Sequence, residues 1–81
     1  MNTYITQGTC SRQIIFDVDG DTVKSVQFVG GCMGNTQGVA ALVAGMNIDE
    51  AISRLEGIQC GMRGTSCPDQ LARALKEYKE K

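Results

Sequence analysis

Hydrophobic residues along the chain change their spacing about halfway. In the first half they recur at every second position. Ile14, Phe16 and Val18 fall on one side, with Ile15 and Asp17 on the other. Asp19-Gly20-Asp21 follows, a tight turn made of residues that tolerate positive φ. Beyond it Val23, Ser25 and Gln27 alternate with Lys24, Val26 and Phe28, so a second strand reaches about Val29. A period of two on both sides of a glycine-centred turn predicts a β-hairpin. Residues 3–6 predict a third strand ahead of it.

In the second half the period becomes helical. Val39, Leu42, Val43 and Met46 are spaced i, i+3, i+4, i+7, one face of a helix. Asn47 predicts an N-cap, with Glu50 three residues later completing a capping box. Ile48, Ala51, Ile52 and Leu55 form the next apolar stripe, and Gly57 marks its end. A last helix carries Leu71, Ala74, Leu75 and Tyr78. Pro68 is favoured at the first helical position, which predicts Cys67 as its N-cap. These stripes read as core. Strands first and helices afterwards predict an α+β fold: a small antiparallel sheet of two to three strands, with an N-terminal hairpin, packed under three C-terminal helices.

The 81 residues, 1–81, are read as a single domain without repeats or linkers. A chain of this size buries only roughly 60% of its unfolded surface, so a metal, a disulfide or a partner often supplies the missing stability. A hydrophobic content of 42% and a formal charge of −1 describe a globular domain and argue against a nucleic-acid footprint, which shows as a basic face. The one dense run of lysines, in residues 76–81, is interrupted by Glu77 and Glu80 and reads as a solvated helix face. No run approaches the ~20 apolar residues needed to cross a bilayer. The polar first residues lack the basic start and apolar stretch of a secretion signal, so the expected location is the cytoplasm.

That location changes how four cysteines are read. In a reducing compartment Cys10, Cys32, Cys60 and Cys67 more often bind metal or do redox work than form structural disulfides. Each falls at the edge of an element, out of phase with the core stripes. Cys10 precedes the hairpin, Cys32 lies in a glycine-rich loop between strand and helix, and Cys60 and Cys67 bracket the loop that leads into the last helix. Helix N-termini favour thiolate over thiol, which serves Cys32 and Cys67, and Arg12 and Arg63 lie close in sequence to Cys10 and Cys60. The chain contains no histidine, which removes Cys–His zinc sites and the usual base for a cysteine nucleophile. It also has no Cys-x-x-Cys. Four thiolates suit tetrahedral zinc and an iron–sulfur cluster equally well. The loop of residues 30–38 follows a strand and opens a helix, as phosphate-binding loops do, but it does not match G-x-x-x-x-G-K-[ST]. Glycines that let a cysteine loop bend near a ligand explain it better.

Thr65-Ser66-Cys67-Pro68-Asp69 spells the motif that names the TSCPD domain family, and the whole chain resembles that family's short stand-alone members with four cysteines. Longer relatives form the C-terminal part of adenosylcobalamin-dependent ribonucleotide reductases. The resemblance implies an accessory metal-binding domain, zinc or iron–sulfur, whose partner is ribonucleotide reductase or another redox protein, and thus a link to DNA precursor synthesis. The chain is too short to be a complete reductase. Alternatives are a thiol redox partner passing reducing equivalents to a reductase, and an iron–sulfur scaffold or carrier. The last arises because the order Gly8-Thr9-Cys10, hairpin, Gly31-Cys32, Asn47-Ile48-Asp49-Glu50-Ala51, Ser66-Cys67 is similar to the U-type iron–sulfur scaffold proteins. That family has Gly-Asp after its first cysteine where this chain has Ser11-Arg12. Its bacterial assembly type commonly has histidine where this chain has Ser66, and it has no equivalent of Cys60. A cysteine gained where a carboxylate is lost implies a closed four-sulfur site.

Overall fold

The computed structural model describes residues 2–8, 11–30, 33–58 and 64–80, the side chains of 33–35 apart. Three strands, β1 (Asn2–Ile5), β2 (Ser11–Asp19) and β3 (Thr22–Gly30), precede three helices, α1 (Met33–Val43), α2 (Ile48–Leu55) and α3 (Cys67–Glu80). The strands form an antiparallel meander in the order β1-β2-β3, giving the α+β fold that the change of period predicts. Asp19 pairs with Thr22 across the two-residue turn Gly20-Asp21, and Gly20 has φ +62°, as the first central residue of a II′ turn requires.

Two irregularities in the β2–β3 ladder set which side chains face the helices. Asp17 pairs with Ser25 but Val18 pairs with Val23, which leaves Lys24 as an extra residue on β3. This bulge reverses the alternation. Val23 is buried, and Val26 and Phe28, not Ser25 and Gln27, pack against the core beside it. The second lies at the other end, where Ser11 pairs with Gly30 and Gln13 with Val29, so Arg12 is the extra residue on β2. Ser11 is therefore buried on the same side as Ile14 and Phe16.

The helices lie on that side. Ala51 and Ile52 of α2 and Leu71, Ala74 and Leu75 of α3 meet Ile14, Phe16 and Val23 in one cluster, and the Phe16 ring meets the Tyr78 ring edge-on at 6.1 Å. Fully burying a side chain such as Leu71 or Leu75 stabilises by about 1.5–3 kcal/mol. Asn47 caps α2, its side chain accepting from the backbone N–H groups of Asp49 and Glu50. The Glu50 carboxylate accepts from Arg54 one turn on, rather than closing the expected capping box. Gly57, with φ +84°, follows the C-cap Glu56.

The first helix departs from its expected stripe. It ends at Val43, and Gly45 at φ +88° turns the chain so that Met46 lies beyond it, its carbonyl accepting from the Val23 N–H at 2.8 Å. Val43 is buried, but Leu42 is 76% exposed. The helix covers β3 with a narrow face, and Leu42 falls outside it. Among the described residues no helix is long and apolar enough to cross a membrane.

Candidate metal centre

Of the four cysteines expected to form the site, Cys67 is described, while Cys10, Cys32 and Cys60 lie outside the described residues. Cys67 is the first residue of α3, half-buried, with its Sγ 3.2 Å from the Ser11 Oγ. It is not the cap. That role belongs to Ser66, whose Oγ accepts from the Asp69 N–H at 3.1 Å and whose carbonyl accepts from the Gln70 N–H at 2.8 Å. A hydroxyl oxygen is a far better acceptor than a thiol, and Pro68 fits at the second helical position because the first four N–H groups have no intrahelical partner. The spacing Ser66-x-x-Asp69 is the sequence signal for this cap.

The described flanks of all four cysteines meet at the end of the sheet opposite the Gly20 turn. Ser11, which follows Cys10, faces Cys67 and pairs with Gly30, two residues before Cys32. The Ser66 hydroxyl donates at 2.6 Å to the carbonyl of Ile58, two residues before Cys60. The bulge at Arg12 turns Ser11 toward α3. Without it, alternation would point Ser11 to the other face of the sheet.

Around Cys67 the first turn of α3 buries a run of polar residues that an apolar stripe would not predict: Thr65, Ser66, Asp69 and Gln70. Asp69 is 4% exposed, and both of its carboxylate oxygens are engaged. Oδ1 accepts from the Gly57 N–H at 2.8 Å. Oδ2 accepts from the Thr65 hydroxyl at 2.6 Å and from Arg73 Nε at 3.1 Å. Gln70 Nε2 donates to the Thr65 Oγ1 at 2.9 Å, and Gln70 Oε1 accepts from the Gln7 N–H at 3.2 Å. Burial pushes the Asp69 carboxyl upward. The hydrogen bonds from Thr65 and Gly57, followed by the Arg73 guanidinium, outweigh it and hold the group below its ordinary value. Its place in the first turn of a helix suits a negative charge as well.

Every buried side-chain nitrogen or oxygen among the described residues has a hydrogen-bond partner. A closed network of this kind holds shape. Among the described residues no group of three or more His, Cys, Asp or Glu side chains could hold a metal ion, so the candidate ligand set rests on Cys67 together with the three cysteines outside them. The glycine-rich loop is described only in part: Gly30 has φ +82°, and a side chain at Gly38 would meet nothing within 4 Å.

The TSCPD domain family model matches residues 2–79, nearly the whole chain, and the chain belongs to that family. No curated protein and no solved structure matches it.

Proposed function

We propose that this TSCPD-domain chain is a non-catalytic metal-binding module. In it Cys10, Cys32, Cys60 and Cys67 hold one zinc ion or one iron–sulfur cluster, and the module serves as an accessory to ribonucleotide reductase or another redox protein. The observation that carries the reading is the contact between Ser11 and Cys67 at 3.2 Å, made by residues 56 positions apart. Ser11 also pairs with Gly30, and Ser66 also holds Ile58. Each cysteine outside the described residues is one or two residues from one of these points. At 3.8 Å per residue that is a reach of about 8 Å or less. The donor set fits a soft metal: four thiols and no histidine, with the described thiol, Cys67, at the start of α3. Bound metal would tie the hairpin to the last helix, and structural zinc sites supply on the order of 10 kcal/mol that is linked to folding. The link to a reductase rests on the family's longer members.

Metal and sulfide analysis of freshly purified protein, with its colour, tests the reading. A colourless sample with one equivalent of zinc, or a brown one with stoichiometric iron and sulfide, is the expected result. Cys67→Ser should lower the metal content sharply while leaving the helical signal in place. Metal-free protein with a titratable disulfide would refute it in favour of a thiol redox partner, and ready transfer of a cluster to an acceptor protein would identify a carrier.

A further inference from the structure

Three of the four aromatic rings in the chain line one cavity. The sequence holds two tyrosines, two phenylalanines and no tryptophan. Tyr4, Phe16 and Tyr78 border a space of ≈ 220 Å³ between β1, β2 and α3, and Asn2, Ala74 and Glu77 border it with them. Alternation puts Asn2 and Tyr4 on one face of β1, and Asn2 pairs with Phe16 on β2. On α3, Ala74, Glu77 and Tyr78 are spaced i, i+3, i+4 and so share a face. Ala74 is buried, and its single methyl leaves the space open.

The lining suits a cation. The Phe16 and Tyr78 rings meet with their planes at 77°, forming a corner, and Tyr4 adds a third ring. An aromatic face carries partial negative charge and attracts a cation within about 6 Å of the ring centre. Asn2 Nδ2 donates to the Phe16 carbonyl at 3.4 Å, which leaves Oδ1 as an acceptor. Glu77 is exposed and joins no ion pair among the described residues, whereas Lys76 and Lys79 pair with Glu56 and Asp49. No Lys or Arg lines the cavity. Its volume lies below the roughly 300–1,000 Å³ of pockets for drug-sized ligands, so the occupant is small.

We propose that this cavity binds a small alkylammonium ion, held against Tyr4, Phe16 and Tyr78 and neutralised by Glu77. The site is independent of the metal-binding reading. From Ser11 to Phe16 along β2, and from Cys67 to Tyr78 along α3, the rise is on the order of 16 Å. The cavity therefore lies well away from Cys67, toward the Gly20 turn.

Both tyrosines border the cavity and no tryptophan masks them, so tyrosine fluorescence reads the site directly. The probes are tetramethylammonium and tert-butanol, a neutral molecule of similar shape, at constant ionic strength. Tetramethylammonium should bind saturably with a Kd of about 1–10 mM, and tert-butanol about 10-fold or more weakly. Tyr4→Leu keeps an apolar side chain but removes a ring. It should weaken binding about 2–30-fold, with Tyr78 as the remaining reporter, while Tyr4→Phe stays within about 2-fold. Glu77→Gln should weaken binding about 2–5-fold and reduce its salt dependence. That variant changes an exposed residue, and it decides the matter if Tyr4→Leu does not fold. Cys67→Ser should bind the cation as the wild type does. Tighter binding of N-acetyl-lysine methylamide than of tetramethylammonium supports the site with a lysine side chain as its source, and weaker binding supports a free amine. Equal binding of tert-butanol overturns the proposal. So does an absence of saturation below about 100 mM, or an unchanged affinity in both Tyr4→Leu and Glu77→Gln.

Discussion

Thr65→Val removes one hydroxyl and leaves the shape of the side chain almost unchanged, so it isolates the polar network beside Cys67. The Thr65 Oγ1 donates to the Asp69 carboxylate at 2.6 Å and accepts from Gln70 Nε2 at 2.9 Å, and all three side chains are buried. A hydrogen bond to a charged group contributes about 1.5–3 kcal/mol, and a buried amide donor left without a partner costs about 1–3 kcal/mol. The expected loss is about 2.5–6 kcal/mol, a large share of a small domain's stability. At about 4–8 °C per kcal/mol, the melting temperature should fall by more than about 10 °C. The assay is denaturant unfolding of the chelated, reduced protein, so that metal cannot mask the change. Part of the loss must depend on pH. The folded-state carboxyl of Asp69 lies below its ordinary value, so its bond to Thr65 stabilises the fold above the unfolded value near pH 4 and fades as pH falls through the folded one. The gap between wild type and Thr65→Val should narrow in acid. A loss below about 1 kcal/mol at pH 7, or a gap that widens on acidification, would refute the network.

Leu75→Ala should cost about 2–5 kcal/mol because Leu75 is fully buried, whereas Leu42→Ala, at a 76% exposed position, should stay within about 0.5 kcal/mol; urea midpoints separate the two. Gly57→Ala should cost about 1–2 kcal/mol from its left-handed φ of +84° alone, since an added Cβ meets nothing within 4 Å, and thermal melts of the metal-free protein measure it. Removal of metal by a strong chelator should lower the melting temperature by about 40 °C or more at about 10 kcal/mol of linked binding energy, and calorimetry with confirmed metal loss decides this.

Elements set by neighbouring residues were legible in the sequence: the alternation of Ile14, Phe16 and Val23 about the Gly20 turn, the Asn47 cap, the stripe through Leu71 and Leu75. Elements set by distant partners were not. The bulge at Lys24 exists only as a mismatch between β2 and β3, so alternation alone puts Val26 and Phe28 opposite Val23, whereas all three pack with the core. Leu42 kept helical phase but lies on the exposed side of α1, next to the buried Val43. Pro68 drew the cap assignment to Cys67, although Ser66 with Asp69 three residues on carried the stronger signal. Asp69 and Gln70 are first-turn residues of α3 that belong to no apolar stripe. Their partners, Gly57 and Gln7, lie 12 and 63 positions away, beyond any local pattern.

The hairpin of β2 and β3 closes over a two-residue turn, while Ser11 must wait for Cys67, 56 residues later, and Gln7 for Gln70. Local turns form fast and distant closures slowly, so during synthesis the sheet can be in place while the cysteine end is still open. That end becomes complete only when the last helix folds back over the first strands. Lifting α3 from the sheet would part Cys67 from Ser11 without breaking a strand pairing, but it would also uncover Leu71 and Leu75, so this contact is lost only together with the core.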